Sequence, residues 1–373
     1  MNMNSFISYF DDLKDPRIER TKKHILSDIL VIAILSFICG AESWEDIEDF
    51  GHAQESWLKQ GLALPHGIPS HDTFARVFAR LNPQVFQNGF VELMKAWHQQ
   101  SHGDLIAIDG KTLRRSHHRK QGQNPLHLVS AWASKNRLTL GQVKTDSKSN
   151  EITAIKDLLA LIDVKGCTVT IDAMGCQRDI AERIIKAEGN YVLAVKGNQG
   201  NLFEDVVELF SLVQERSYES IVFSQQETLD GDHGRLEKRC YTVLPVMYKF
   251  DYQKHWPGLQ SFIQVASQRE VDGKISTENR YYISSLKPDA VILSEAIRQH
   301  WSIENTLHWS LDVAFNEDQS RIRKGHAPEN MAMLRRFVLS LLKNETTFKG
   351  GLRRKQRKAL MDKNYLNLIL AKI

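Results

Sequence analysis

Four cysteines are scattered over 373 residues, at Cys39, Cys167, Cys176 and Cys240, and no two of them form a CxxC pair. This spacing suggests neither a thiolate zinc site nor a disulfide framework, and it fits a reducing compartment. The opening MNMNSFISYFDD has no basic segment ahead of an apolar one, so no secretory signal is expected. The longest apolar run, Ile29–Cys39, is about half of the roughly 20 residues needed to cross a bilayer. Asp28 and Glu42 flank it. It reads as a buried helix in a cytosolic chain with no membrane partner. No internal repeat and no heptad pattern is present. Neither sign of charge dominates, with 49 Lys and Arg against 45 Asp and Glu. A net charge of +4 allows a polyanionic partner without demanding one, and the placement of the charge decides.

What is present suffices for two or three domains with sizeable cores. Residues 1–100 read as a helical N-terminal domain. A short amphipathic helix is expected over 5–20, ended near Pro16. Ser27 is the expected N-cap of a helix through Ile29, Ile32, Leu35 and Phe37, closed by Gly40. Ser43-x-x-Asp46 resembles a capping box and leads into a helix through Ile47, Phe50 and Trp57. After a loop from Gly61 to Pro69, Ser70 is the expected cap of a helix through Phe74, Val77 and Phe78. Asn82-Pro83 interrupts it, and Phe86, Phe90, Leu93, Met94 and Trp97 continue at helical spacing. The stretch HDTFARVFARL suits either the recognition helix of a helix-turn-helix or a bundle that packs on the next domain.

Beyond a polar linker, Ser101–Asp104, strands and helices alternate. Leu105–Ile108 is a strand that delivers Asp109 at its end. His127–Trp132 and Leu138–Lys144 form a hairpin, and Ser149-x-x-x-Thr153 opens a helix. The run Cys167–Gly175 is a strand ending near Asp172, Gln177–Gly189 a helix, and Tyr191–Val195 a strand. This β-β-β-α-β-α-β order is that of a ribonuclease-H-like sheet. The expected fold is therefore α/β, with a ribonuclease-H-like core in two parts, 104–200 and 283–342. A β-rich subdomain, 201–282, is inserted between them, with Gln225–Leu236 as a polar loop holding Asp230, Asp232 and His233. Pro288 introduces a helix Ala290–Leu307 that carries Glu304, and 343–373 forms a basic C-terminal segment.

Asp109 and Asp172 near neighbouring strand ends, with Glu304 on a distant helix, make a plausible metal-binding nuclease core. Two Mg²⁺ ions roughly 3.5–4 Å apart would be held by such carboxylates, with Mn²⁺ an acceptable substitute. One ion would activate water or a 3′-hydroxyl and the other would stabilise the leaving oxygen. Asp312, Glu317 and Asp318 are rivals for the third acid. An isolated acid at a strand end is more often a turn cap.

The segments IAIDGKTLR, VTIDAMGCQRDIA, YVLAVKGNQ, RYYISSL and IRQHWSIENTLHWSLDVAFNEDQSRIRKG resemble the DDE transposases of bacterial insertion sequences. The branch they resemble is the ISAs-type, H-repeat-associated one. The likeness extends to SDILVIAILSFICGAESWEDIEDFG and to Phe348–Lys355, so it spans nearly the whole chain. It implies Asp109, Asp172 and Glu304 as a catalytic, metal-binding triad. It implies divalent-metal-dependent cleavage at the element's ends and joining of the 3′-hydroxyl to target DNA. The implied partners are double-stranded DNA, as terminal inverted repeats and target, and a second copy of the chain in a homodimer on DNA. The implied location is the bacterial cytoplasm, at the nucleoid. The wider group places a tyrosine, an arginine and a lysine around the glutamate where this chain has Ile297, His300 and Leu311. Arg298, His300 and His308 are then the candidate phosphate contacts.

Lys111, Arg114 and Arg115 follow the first acid and could hold phosphates. Lys196 and Asn198 look like contacts to the DNA backbone. The tracts with Arg321, Arg323 and Lys324, and with Arg353 and Arg354, are candidates for non-specific DNA binding. Trp301 and Trp309 could stack on an unpaired base, but at this spacing they read as core. A regulator without catalysis and a nuclease without a joining step are the competing readings.

Overall fold

The computed structural model describes residues 8–371 apart from 11, 99–102, 118–121, 123, 146–149, 216–221, 233–234 and 247–251. The expected cap Ser149, the histidine His233 and part of the basic stretch after Arg115 lie outside the described residues. Mixed α/β architecture is built on a sheet of nine strands. These are β1 (Leu105–Leu113), β2 (Leu126–Ala133), β3 (Leu138–Thr145), β4 (Thr168–Ile171), β5 (Asn190–Val195), β6 (Ser224–Asp232), β7 (Arg235–Pro245), β8 (Ser261–Val271) and β9 (Lys274–Ser284). Their spatial order is β3-β2-β1-β4-β5-β9-β8-β7-β6. Pairing is parallel between β1 and β4 and between β4 and β5, and antiparallel elsewhere.

Among the described residues four helices of eight or more residues precede the sheet: α1 (Leu26–Ile38), α2 (Trp44–Ala53), α3 (His71–Phe78) and α4 (Pro83–His98). The structure shows 3₁₀ turns at Ser8–Phe10 and Glu19–Thr21 in place of the helix expected over 5–20. With Pro16 near its middle, the segment could not run a helix through. Helix α1 starts one residue before Ser27, behind Ile25, and no side chain caps it. Its end follows expectation: Gly40 has φ +99°, and the N–H groups of Gly40 and Ala41 bond Phe37 O and Ser36 O at 3.1 and 2.9 Å. This is a Schellman closure that glycine accommodates at no steric cost. Ser43 and Asp46 form a full capping box even with aspartate at the third position. Trp57 sits in a separate one-turn helix, Glu55–Leu58. Ser70 precedes α3 without a side-chain cap, whereas Asn82 Oδ1 accepts the N–H groups of Gln84 and Val85 and starts α4.

After β3 come α5 (Glu151–Leu161), α6 (Arg178–Lys186), α7 (Gly200–Glu215), α8 (Ala290–His300), a π-helical turn (Ile303–His308), α9 (Trp309–Phe315), α10 (Ala327–Asn344), α11 (Leu352–Met361) and α12 (Lys363–Leu370). Helix α10 is buried on nearly every side and packs against α1, α3, α4 and β3. The N-terminal helices therefore share one core with the sheet. No helix among the described residues is long and apolar enough to cross a membrane.

Three expectations are corrected. Asp104 is no linker residue: it is 1% exposed, and its carboxylate accepts the N–H groups of Leu105, Lys135 and Asn136. It ties the start of β1 to the β2–β3 turn. Gln225–Leu236 is no polar loop but β6 and its hairpin into β7; its polar residues belong to strands with solvent-facing sides. The β-rich stretch makes no sheet of its own, because β9 pairs with β5 and extends the core sheet edge to edge.

A tight contact joins the N-terminal helices to the basic loop before α10. Gly325 has φ +53°, and a Cβ there would meet Ala79 O at 2.3 Å. Gly325→Ala is expected to lower stability by about 1–3 kcal/mol, as strained or displaced backbone does. A melting temperature equal to that of the parent would refute this reading of the contact.

Candidate active site

The register of β1 and β4 organises the site. Their parallel pairs run from Leu105 with Thr168 to Ile108 with Ile171, so the next residues are Asp109, within β1, and Asp172, just past the end of β4. Asp109 does not end its strand as expected. β1 runs on to Leu113, and Asp109 pairs with Ser130 of β2. Alternation along β1 sets its direction. Gly110 faces α5, where a Cβ would lie 2.7 Å from Glu151 Oε1, so Asp109 and Lys111 face the opposite side. Asp172 leaves β4 and caps a 3₁₀ turn, accepting from the N–H groups of Met174 and Gly175 at 3.1 and 3.4 Å. The cap role and a site role coincide here. Asn198 braces this turn, its Nδ2 donating to Ala173 O at 2.7 Å.

Glu304 does not sit on a continuous helix. α8 ends at His300, and Glu304 lies in the π-helical turn, where the Trp309 N–H bonds Glu304 O five residues back. Such turns recur at functional sites because they re-aim side chains within a helix. Ser302 Oγ, just before the turn, is 2.8 Å from Ser134 Oγ and ties it to the β2–β3 turn. The three carboxylates line one cavity of about 360 Å³, together with Lys196, Arg280, His300 and Trp301.

Charge separates these acids from their rivals. Asp312 takes Lys111 Nζ at 2.6 Å, Asp318 takes Arg114 Nε at 3.2 Å, and Glu317 takes Arg336 Nη1 at 2.8 Å. Asp109, Asp172 and Glu304 have no lysine or arginine partner among the described residues. Burial, with Asp172, Glu304 and Glu151 nearby, pushes Asp109 up to about 7, and its hydrogen bond from the Gly110 backbone only partly opposes this. His308 Nδ1 lies 3.6 Å from Asp109 Oδ2. It supplies no charge, because burial, with Arg336 and Lys111 adding to it, drives that imidazole down to about 3. His300 is lowered too, mainly by burial, and its Nδ1 meets Thr170 Oγ1 at 3.0 Å. Among the described residues no three His, Cys, Asp or Glu side chains stand close enough to form a ready-made metal cage. The donors still suit a hard cation. They are oxygens, they converge on one cavity, and burial, with the neighbouring acids adding to it, pushes Asp109 up to about 7, which a cation would oppose.

The other singled-out residues divide. Lys111 is 8% exposed and locked between Asp312 and Asp318. Arg298 leaves the cavity for Asp230 on β6, its Nη2 donating at 3.1 Å. Arg114 and Arg115 are exposed, and Arg323 Nε donates to Arg115 O at 3.0 Å. Arg353 Nε donates to Val313 O at 2.8 Å, while Arg321, Lys324 and Arg354 are exposed. Trp301 and Trp309 are not core, with 40% and 60% of their surface exposed. The π-helical turn shifts the spacing by which they would share a buried face. Sequence reasoning missed Arg280, whose guanidinium stacks 5.2 Å from the Trp301 ring centre. It lies within the β-rich stretch, and no local pattern links it to Glu304. The buried Arg336–Glu317 pair was missed as well; a double arginine inside an apolar helix was its visible sign.

The family profile described as transposase DDE domain matches residues 100–341. The chain belongs to the DDE transposase family. A second profile, described as DDE_Tnp_1-associated, matches residues 7–94. The "H repeat-associated putative transposase YhhI" of Escherichia coli (strain K12) is 43% identical over 100% of this chain and 99% of its own. The protein YbfL of the same strain is 43% identical over the same shares. A piggyBac transposase synaptic complex with hairpin DNA matches more loosely, with a TM-score of 0.44 and 12% identity over 99% of this chain and 77% of that one.

The charge balance in this DDE transposase family member gives a measurable consequence. A carboxyl raised on folding favours the folded state below its unfolded value of 3.8 and loses that contribution as pH rises through about 7. In metal-free buffer, Asp109→Asn is therefore expected to raise the melting temperature by several degrees at pH 8. The gain should shrink toward zero below pH 4. An equal or reversed effect at the two pH values would sink this account of Asp109.

Proposed function

We propose that the chain is a divalent-metal-dependent DNA transposase with a ribonuclease-H-like core formed by β1–β5. It cuts the ends of an insertion element and transfers the resulting 3′-hydroxyl into target DNA. The observation that carries this reading is the convergence of Asp109, Asp172 and Glu304 on one cavity without a lysine or arginine partner among the described residues, while the rival acids Asp312, Asp318 and Glu317 each have one.

In the first step water attacks a phosphodiester at the element's end, and the bond to the 3′-oxygen breaks to leave a free 3′-hydroxyl. In the second, that hydroxyl attacks a phosphodiester of the target and the target's own 3′-oxygen leaves, so bonds broken and formed balance. Asp109, Asp172 and Glu304 are the residues that would hold Mg²⁺, or Mn²⁺ in its place, as two ions. When bound, the ions supply Lewis-acid stabilisation of the phosphorane charge and lower the pKa of the attacking hydroxyl. Positive charge held there would favour the ionised form of Asp109, and the cap hydrogen bonds hold Asp172 in place. Burial lowers both His300 and His308, so neither imidazole adds positive charge beside the three acids at neutral pH.

The basic residues Arg114, Arg115, Arg321, Arg323, Lys324, Arg353 and Arg354 would track the duplex. The contact of Arg323 with Arg115 brings tracts 208 residues apart in sequence onto neighbouring surface, and Arg353 is held to Val313, 40 residues back. Two copies would act on paired ends.

The test is a nicking and joining assay on DNA carrying the element's terminal repeats, with Mg²⁺ or Mn²⁺. Wild type should give metal-dependent products. Glu304→Gln should cut them by on the order of a hundredfold or more, as losing one preorganised electrostatic contact does, with DNA affinity retained. Binding without product would mean an inactive DNA-binding relative, and nicking without joining a nuclease.

A further inference from the structure

A groove of about 640 Å³ lies away from the three acids, between the first turn of α2 and the loop 316–324. Arg335 of α10 forms part of its lining although only 1% of that residue is exposed. Its neighbour Arg336 is neutralised by Glu317 at 2.8 Å, but no carboxylate among the described residues lies within ion-pair distance of Arg335. Arg335 Nη2 donates to Ser320 Oγ at 3.0 Å, and its guanidinium lies 5.9 Å from the Phe37 ring centre. Its Nε is buried with no hydrogen-bond partner among the described residues. A buried guanidinium so poorly matched is costly unless an anion completes it.

The rest of the groove is consistent with an anion. Arg321, Arg323 and Lys324 line one wall. The other wall is the N-terminus of the ten-residue helix α2, whose first-turn N–H groups and dipole favour negative charge. Three acids also border the groove, and two are already engaged. Glu42 Oε2 accepts from Asn316 Nδ2 at 2.8 Å, and Asp46 accepts the N–H groups of Glu42 and Ser43. Glu45 is exposed.

The geometry points to a phosphate-binding site in this groove, with Arg335 at its floor and Arg321, Arg323 and Lys324 at its rim. The phosphate group is either a phosphodiester of the DNA backbone or free phosphate. The DNA alternative rests on the transposase reading; the site itself does not.

The test uses the full chain and inorganic phosphate, exchanged against chloride at constant ionic strength, with thermal melting as readout. Phosphate strengthens burial in any protein, so the quantity read is the difference between wild type and variant. Wild type should gain on the order of 2 °C more than Arg335→Met at phosphate about tenfold above its dissociation constant. Arg335→Met should melt no lower than wild type without phosphate, because it replaces an unmatched buried charge with an apolar chain of similar length. An equal phosphate response in both proteins, or a destabilised Arg335→Met that keeps the response, overturns the site. Should Arg335→Met fail to fold, the rim variant Arg321→Ala with Lys324→Ala must weaken phosphate binding several-fold. An unchanged affinity there overturns the proposal equally.

A short duplex without terminal phosphates then distinguishes the source. Competition with free phosphate in wild type assigns the groove to the DNA backbone, and its absence assigns it to free phosphate. Because melting is read rather than cleavage, a positive result in a protein that cuts no DNA leaves the site standing and removes only the transposase reading.

Discussion

Four parallel residue pairs between β1 and β4 govern the arrangement of the molecule. They put Asp109 beside Asp172, and both line one cavity. Everything around them answers that concentration of negative charge. β1 continues past Asp109 so that β2 holds it on one side, and the helix that approaches from α8 opens into a π-helical turn where Glu304 joins the pair. Strand alternation does the rest by sending Lys111 to the same face, where Asp312 and Asp318 fix it. Lys111 is thus committed elsewhere, while Lys196 and Arg280 stand in the cavity wall without an ion pair to any of the three acids among the described residues.

Cations and anions in this region are sorted with little slack. Glu317 and Arg336 are fully buried together, and Arg336 Nε reaches Ser130, the residue that faces Asp109 across β1 and β2. Breaking such a pair leaves an uncompensated charge in the core and costs several kcal/mol, so this contact fixes α10 against the strand that carries Asp109. Against that background Arg335, one residue earlier, stands out as a buried cation with no carboxylate among the described residues within ion-pair distance, although Glu317 and Glu42 lie near enough to act on it. The contrast between these adjacent arginines is what separates a structural charge from one that awaits a ligand.

The long antiparallel meander β6–β9 also acquires a role from the sheet. Because β9 pairs with β5, its residues Glu278–Tyr282 form a wall of the acid-lined cavity. Arg280 comes from this wall to stack on Trp301, so aromatic and cationic surface is presented beside the carboxylates. Arg298 meets Asp230 of β6 across the same interface and anchors the meander to α8.

Local chemistry was legible in the sequence. The apolar run of α1 and its glycine closure, the Ser43–Asp46 box, the strand signals around both aspartates and the helical character of the first hundred residues all follow from short-range propensity and periodicity. The three acids could be singled out because each sits in a segment with its own pattern. Contacts between distant segments were not legible. Nothing in a linear spacing says that β1 runs beyond Asp109, that a helix widens by one residue at Glu304, or that two tryptophans thereby turn outward. Nor does it say which of six clustered acids meet lysine and arginine and which are left bare. Short-range sterics and hydrogen bonding determine the elements, and these act within a few residues. Charge matching and strand register act between residues far apart in the chain, as between Lys111 and Asp312 or Arg353 and Glu42, and only the packed tertiary structure decides them.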